Sequence, residues 1–432
     1  MKHLFLIGLT TLLLFAKADR SFELTKLGDP TSGHTLLIFG GIHGNEPGGY
    51  FAPAVLAQFY KIQKGALWVV PDINQEAITR FWRGMHGDMN RKFAILERSD
   101  RDAPTVKKIK KLIKNKDVDL ILNLHDGHGY YRKRYKNGTF NPNAWGQSCV
   151  IDQTCLEDSN ATFADLNDVA EKVSKKLNNG LLQDHHYFNV KNTKTKRHDK
   201  AMQLSLTYYA INQGKPAFAI ETSKNLTKTS EKVFYQLRAI EAFMDIMDIK
   251  FTRSFEFSKK GVEEILKDLG TLKVNNAFEL NLSDIRPILY FMPLKQIRNY
   301  FEFSHPLANI IWKKDHYEIY IGHKRISSFY KDAFPVSTNL KEVQIMLNDE
   351  VSTVKLASTV DVNGTFAIKL PKEYRVNIIG FKDPKYNNEN GVAVSLDKMQ
   401  SRYAIDTKRR KYRVEVYKDG VFYGMMIINF KS

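Results

Sequence analysis

Cysteine is scarce in this chain, with only Cys149 and Cys155 in 432 residues. So few cannot staple a fold of this length or build a cysteine-rich zinc site. In an oxidising compartment the two could close a short loop, and in a reducing one they are ordinary thiols. Pairing depends on a Cα separation that spacing does not reveal. Acidic residues also run short, 47 Asp and Glu against 65 Lys and Arg, for a net charge of +18. That excess favours an anionic partner, whether nucleic acid, an anionic lipid surface or a carboxylate-rich substrate. Apolar runs of the ~20 residues that span a bilayer are missing. The run Leu4 to Phe15 is shorter, follows Lys2 and His3 and precedes Ala16-Lys17-Ala18. Its length and its A-x-A site predict a secretory signal peptide over residues 1–18, removed on export and leaving no membrane insertion.

What is present is globular. Hydrophobic residues make up 43% and charged residues 26%, which excludes disordered, collagen-like and coiled-coil chains. At about 150 residues per domain the length predicts roughly three domains. The first half alternates buried-strand and helix patterns, as an α/β fold with a mixed, mostly parallel sheet and flanking helices does. Strands are expected at Thr35 to Gly40, Leu67 to Val70, Val118 to Leu124 and Ala217 to Ile220. Helices are expected from Tyr50 to Ile62, from Thr105 to Leu112, and after a capping Ser230. Lys107, Lys108, Lys110, Lys111 and Lys114 on the second helix read as a solvated face, because no aromatics are interleaved for stacking on nucleic acid bases.

This pattern ends near Ile249. Residues 250–338 become alternating and aromatic, as in Ile288 to Met292 and Tyr317 to Ile321, and predict a β-rich middle domain with one helix, Val262 to Leu269. Residues 339–432 carry short strands separated by Asn363-Gly364 and Asp419-Gly420. Those turn signals predict hairpins in an immunoglobulin-like β-sandwich.

Chemistry concentrates in Gly40-Gly41-Ile42-His43-Gly44-Asn45-Glu46-Pro47, directly after a buried strand. A His and a Glu three apart can reach one metal ion, and the glycines let the backbone turn sharply beside it. A catalytic zinc needs a third protein ligand and one open position. His125, the first residue off the strand Ile121 to Leu124, supplies it in preference to the competing His128. Asp126 or His128 then supports the ligands. Glu221 follows the strand Ala217 to Ile220 and fits the proton acceptor that zinc hydrolysis requires. Asn90 beside Arg91 makes a fork for a terminal carboxylate, and Arg83 can polarise a scissile carbonyl. His185-His186 lie in a polar stretch and read as solvated.

This ordered set, His43-x-x-Glu46, Asn90-Arg91, Leu124-His125 and Glu221, resembles the zinc metallocarboxypeptidases over about residues 30–249. With the secretion signal and two added β-rich domains, the chain more narrowly resembles the periplasmic peptidoglycan D,L-carboxypeptidases that set helical cell shape in curved Gram-negative bacteria. The resemblance implies a carboxypeptidase-like catalytic domain (19–249) and one Zn2+ held by His43, Glu46 and His125. Glu221 would be the general base, with Arg83 catalytic. Asn90, Arg91, Trp145 and Thr207 would hold the substrate, Trp145 having simple core packing as its alternative. Some close relatives carry Gln in place of the first His; here His43 is the standard ligand. The implied reaction trims muramyl tripeptide to dipeptide by removing meso-diaminopimelate. Peptidoglycan tripeptide stems are the expected partner, and nucleic acid is not; the stem's carboxylates give the basic chain a reason to attract it. The glycine-framed loop also resembles the aspartoacylase and succinylglutamate desuccinylase branch, against which the secretion signal and Asn90-Arg91 speak. A non-catalytic wall-binding protein is the remaining alternative, and an intact ligand set with Glu221 argues against it.

Overall fold

Five consecutive residues of β2 (Thr35–Phe39) and five of β4 (Ala66–Val70) are buried, as strands covered on both faces must be. The structure, a computed structural model, describes residues 22–157 and 161–431. The expected signal peptide, residues 1–18, lies outside them. Beside β2 and β4 run β1 (Thr25–Gly28), β5 (Leu120–Gly127), β8 (Ser148–Ile151), β9 (Asn189–Asn192) and β10 (Ala217–Ser223), in one seven-stranded sheet ordered β1-β4-β2-β5-β10-β8-β9. The β4-β2, β2-β5, β5-β10 and β8-β9 pairs are parallel, and β1-β4 and β10-β8 antiparallel. The sheet is therefore mixed and mostly parallel, as expected.

Helix α1 (Pro47–Phe59) packs on α7 (Thr229–Ile246), which also contacts α4 (Leu166–Leu177). The chain passes from β2 through α1 to β4, reverses, and returns through α2 (Gln75–Arg80) and α3 (Ala103–Ile113) to β5 on the other side of β2. Right-handed crossovers in opposite directions place α1 and α3 on opposite faces. This reversal opens a crevice beyond the carboxyl ends of β2 and β5.

Several local expectations need correction. The first helix starts at Pro47, whose missing N–H is harmless in a first turn, and stops at Phe59. Residues Tyr60–Lys64 form a strand, β3, paired with Lys250–Arg253. Ser230 does not cap α7; Lys228 occupies the cap position, with no side-chain bond, and Ser230 sits in the first turn. On α3, Lys107, Lys111 and Lys114 are exposed, but Lys108 and Lys110 lie over the rings of Phe22 and Tyr209. The middle-region helix spans Lys259–Ile265, earlier than expected.

The second half is almost entirely β. Strands from Thr271 to Ala333 form a three-stranded and a four-stranded sheet, and two four-stranded sheets follow. Asp419-Gly420 does turn a hairpin between Lys411–Lys418 and Val421–Phe430. Asn363-Gly364 does not. Thr359–Val362 pairs in parallel with Val421–Phe430, whereas Thr365–Lys369 pairs with Glu342–Leu347, so that turn carries the chain from one sheet of the sandwich to the other. The strand Val421–Phe430 serves two interiors. Phe422, Met425 and Ile427 join the large core that runs back to the seven-stranded sheet, and Met426, Ile428 and Phe430 fill the sandwich. Among the described residues no helix is long and apolar enough to cross a membrane.

Candidate metal centre and active site

The loop after β2 delivers His43, and the last residue before α1 is Glu46. Two glycines are sterically required there. Gly41 has φ +72°, and a Cβ on Gly49 would stand 2.6 Å from the Leu124 carbonyl oxygen, so α1 can approach β5 only through glycine. Strand β5 carries His125 on the same face as Asn123, and in the parallel register with β10 Glu221 pairs with His125. One donor atom each from His43, Glu46 and His125 falls within 4.8 Å of the others, and all three side chains are buried. His128 lies outside this group and is exposed on the rim.

Glu46 Oε2 stands between the two rings, 2.9 Å from His125 Nδ1 and 3.1 Å from His43 Nδ1. His43 Nε2 bonds Asp88 Oδ1 at 2.9 Å, which fixes the ring and leaves Nδ1 facing the centre, buried and without a hydrogen bond. A buried nitrogen in that condition is costly unless a ligand takes its lone pair. Two imidazoles and one carboxylate are also the donor set of a three-ligand catalytic zinc. The residues therefore fit a metal ion. Electrostatics agree. Burial opposes charge on Glu46, but His43 and His125 hold it well below the usual carboxylate range. Burial likewise works against protonated His43, yet Glu46 and Asp88 outweigh it and raise it to about 9.

Around this centre, Arg83 bonds Glu46 Oε1 at 3.1 Å and Asp88 Oδ2 at 2.9 Å, with 45% of its side chain exposed. Lys224 Nζ stands 3.4 Å from Glu46 Oε1. Burial, with Glu46 adding to it, pushes Glu221 well above the usual carboxylate range. Asp126 is raised to about 6 by burial; it accepts from the Gly48 N–H at 2.9 Å and from the Thr222 hydroxyl, tying β5 to α1 and β10. Gln236 of α7 donates to the His125 carbonyl at 2.7 Å.

Every predicted site residue lines one cavity of about 280 Å3: His43, Glu46, Arg83, Asn90, Arg91, His125, Trp145, Thr207 and Glu221. Asn90 is placed by the N–H of Leu206, at the start of α6 (Leu206–Ile211), which bonds its Oδ1 at 3.0 Å. Arg91 Nη1 donates to the Asn90 carbonyl at 3.0 Å. Trp145 is half-buried on the cavity wall, with the Lys191 ammonium 4.8 Å above its ring. Burial lowers Lys191 to about 8.

Sequence reasoning missed Asp88, Lys224 and Asn123. Asp88 was findable in principle, since a ligating imidazole needs an acceptor for its other nitrogen. Lys224 and Asn123 carry no local signal. One reading is overturned: His186 is 3% exposed, stacks on Tyr130 and bonds the Tyr235 hydroxyl at 2.9 Å, whereas His185 is the exposed one of the pair. Its strand-poor, polar surroundings in sequence are covered by α7 in space. Cys149, buried in β8, and Cys155, exposed, are free thiols.

The family described as carboxypeptidase controlling helical cell shape, catalytic, matches residues 1–267, and the C-terminal domain of metallo-carboxypeptidase matches residues 336–431. No curated protein sequence matches. Among solved structures, the chain is similar to the tripeptide-bound cell shape determinant Csd4 of Helicobacter pylori, at 34% identity over 95% of this chain and 100% of that one, with a TM-score of 0.88. It is equally similar to apo Csd4, at 34% identity over the same shares and a TM-score of 0.87. The mDAP-bound form of Csd4, a D,L-carboxypeptidase, aligns at 33% identity over the same shares, also at 0.87. The chain is a metallo-carboxypeptidase and belongs to the family of carboxypeptidases that control helical cell shape.

Proposed function

We propose that this enzyme is a zinc-dependent, periplasmic D,L-carboxypeptidase that trims peptidoglycan tripeptide stems to dipeptides by removing meso-diaminopimelate, and so influences cell shape. The observation that carries the reading is the convergence of His43, Glu46 and His125 beside Glu221 in one cavity with Asn90 and Arg91. The similarity to a D,L-carboxypeptidase solved with tripeptide and with mDAP supports the substrate. Residues 19–249 are the catalytic domain in this reading, followed by β domains at 250–338 and 339–432.

The substrate's terminal carboxylate sits in the fork of Asn90 and Arg91, which fixes the last residue so that its amide bond faces the metal centre. When bound, zinc supplies Lewis acidity toward the carbonyl and a water molecule. Glu221 accepts the proton of the attacking water. That water's oxygen bonds to the γ-carbonyl carbon of D-Glu, and the C–N bond to diaminopimelate breaks. Glu221 then hands its proton to the departing amine. Burial raises the affinity of Glu221 for a proton, which favours holding one between attack on the carbonyl and departure of the amine. Arg83, already beside Glu46, adds positive charge where the carbonyl oxygen becomes negative.

The experiment is to incubate purified protein with disaccharide tripeptides, with and without a chelator, and follow products by mass. Loss of one diaminopimelate, blocked by chelation and restored by zinc, is the expected result. An intact tripeptide together with cleavage of a small N-acyl amino acid would overturn the reading in favour of a desuccinylase-like activity.

A further inference from the structure

The cavity has two unlike ends. Its rim holds exposed or half-exposed cations, Arg83, Arg91 and Lys224, whereas its inner wall is built from Asn123, Val150, Met202, Thr207 and Ala219, each at most 6% exposed. The inner wall follows from strand register. Asn123 lies two residues before His125 on β5, hence on the same face and about 6.6 Å deeper. Ala219 of β10 pairs with Asn123, just as Glu221 pairs with His125, and Val150 of β8 pairs with Ala219. The small Ala219 leaves the space beside Asn123 open.

Asn123 is the anomaly on this wall. It is 0% exposed, yet neither its side-chain carbonyl nor its amide nitrogen has a hydrogen-bond partner among the described residues. A buried amide left unpaired on both ends is destabilising, and native proteins complete such groups with a ligand, an ion or ordered water. The chemistry of the vacancy is specific. A lysine-selective pocket places an acid at its end, and an apolar-selective one places no polar group there. An asparagine is neutral and offers an acceptor and two donors together. With apolar walls from Val150, Met202 and Ala219, it suits a methylene stem tipped by both an ammonium and a carboxylate.

We infer that Asn123 is the specificity-determining residue for the side chain of the departing residue, its carbonyl accepting from a distal ammonium and its amide donating to a distal carboxylate. This rests on the carboxypeptidase reading and deepens it: Asn90 and Arg91 hold the carboxylate next to the scissile bond, and Asn123 selects a second amino-acid head at the far end of the same residue. Diaminopimelate has that form; lysine and alanine do not.

The test compares wild type with Asn123→Leu and Asn123→Ala on three stem tripeptides ending in diaminopimelate, lysine and alanine, with zinc content and thermal midpoint measured alongside. The expected result is a loss of about tenfold or more in kcat/KM on the diaminopimelate peptide, carried by KM, a smaller loss on the lysine peptide, whose ammonium uses the Asn123 carbonyl but not its amide, and a change of less than about threefold on the alanine peptide. Calorimetric titration of free diaminopimelate into metal-free protein should show binding to wild type and loss in both variants. If Asn123→Leu does not fold, Asn123→Ala decides the same comparison. An equal loss on all three peptides, or an unchanged preference for diaminopimelate over lysine, overturns the subsite and leaves the peptidase reading standing. Wild type that cuts none of the three removes both.

Discussion

Glu221 and His125 stand opposite each other in the parallel register of β10 and β5, so one ladder of backbone hydrogen bonds sets the distance between the proposed base and the proposed metal ligand. The two positions should separate cleanly by mutation. Glu221→Ala should lower kcat by about 10²–10⁴-fold or more while zinc stays bound, and His125→Ala should lose both. Turnover and metal content measured on the same preparations check this; a fully active Glu221→Ala removes Glu221 from the mechanism.

Asp88 holds the His43 ring from behind. Asp88→Ala should therefore weaken metal affinity by roughly 10–100-fold without removing a ligand. Competition against a chromogenic chelator measures it, and an unchanged dissociation constant would show that the ring needs no such support.

Arg91→Lys keeps the charge and loses the planar fork. KM for stem peptides should rise by about tenfold, with kcat less affected, because one charge-assisted bond is lost in the bound state. Steady-state kinetics on the tripeptide decide between this and a purely structural role, which would lower stability instead.

His186 supplies a pH prediction away from the metal. Burial, reinforced by His185, lowers its ring to about 4 from an ordinary 6.5. Between those values the unfolded ring is protonated and the folded one is not. The unfolded state then binds the extra proton, and stability falls as pH drops from 6.5 toward 4. The loss at pH 4 is on the order of 3 kcal/mol. Denaturant melts of metal-free protein should show His186→Gln with a flatter acid limb than wild type; parallel curves would contradict the buried neutral ring.

Cys155 is exposed and Cys149 buried in β8, where burial pushes its thiol far up. A maleimide should therefore label one thiol per native chain and two after unfolding. Two labels on native protein would place Cys149 outside the sheet.

Much of this was legible in the chain itself. Buried runs such as Thr35 to Phe39 read as covered strands, and His43-x-x-Glu46 within glycines offers two donors that one metal ion can share. Local chemistry wrote those features, so local reading recovered them. The Asn363-Gly364 turn shows the limit. Its residues specify a tight reversal, but hydrogen bonds to Val421–Phe430 and Glu342–Leu347 decide that the reversal joins two sheets. His186 shows the same limit, since a polar neighbourhood in sequence says nothing about Tyr130 and Tyr235 closing over it.

By itself, then, the sequence determined which residue types were available: two imidazoles, two carboxylates and an Asn-Arg pair, each near the end of a recognisable element. Tertiary structure decided their company. That Asp88 backs His43, that Arg83 bridges Glu46 and Asp88, and that Asn123 lies unpaired beside Ala219 all depend on contacts between distant elements or on strand register. Periodicity fixes which face a residue takes along its own strand; only the pairing of β5 with β10 fixes what stands beside it.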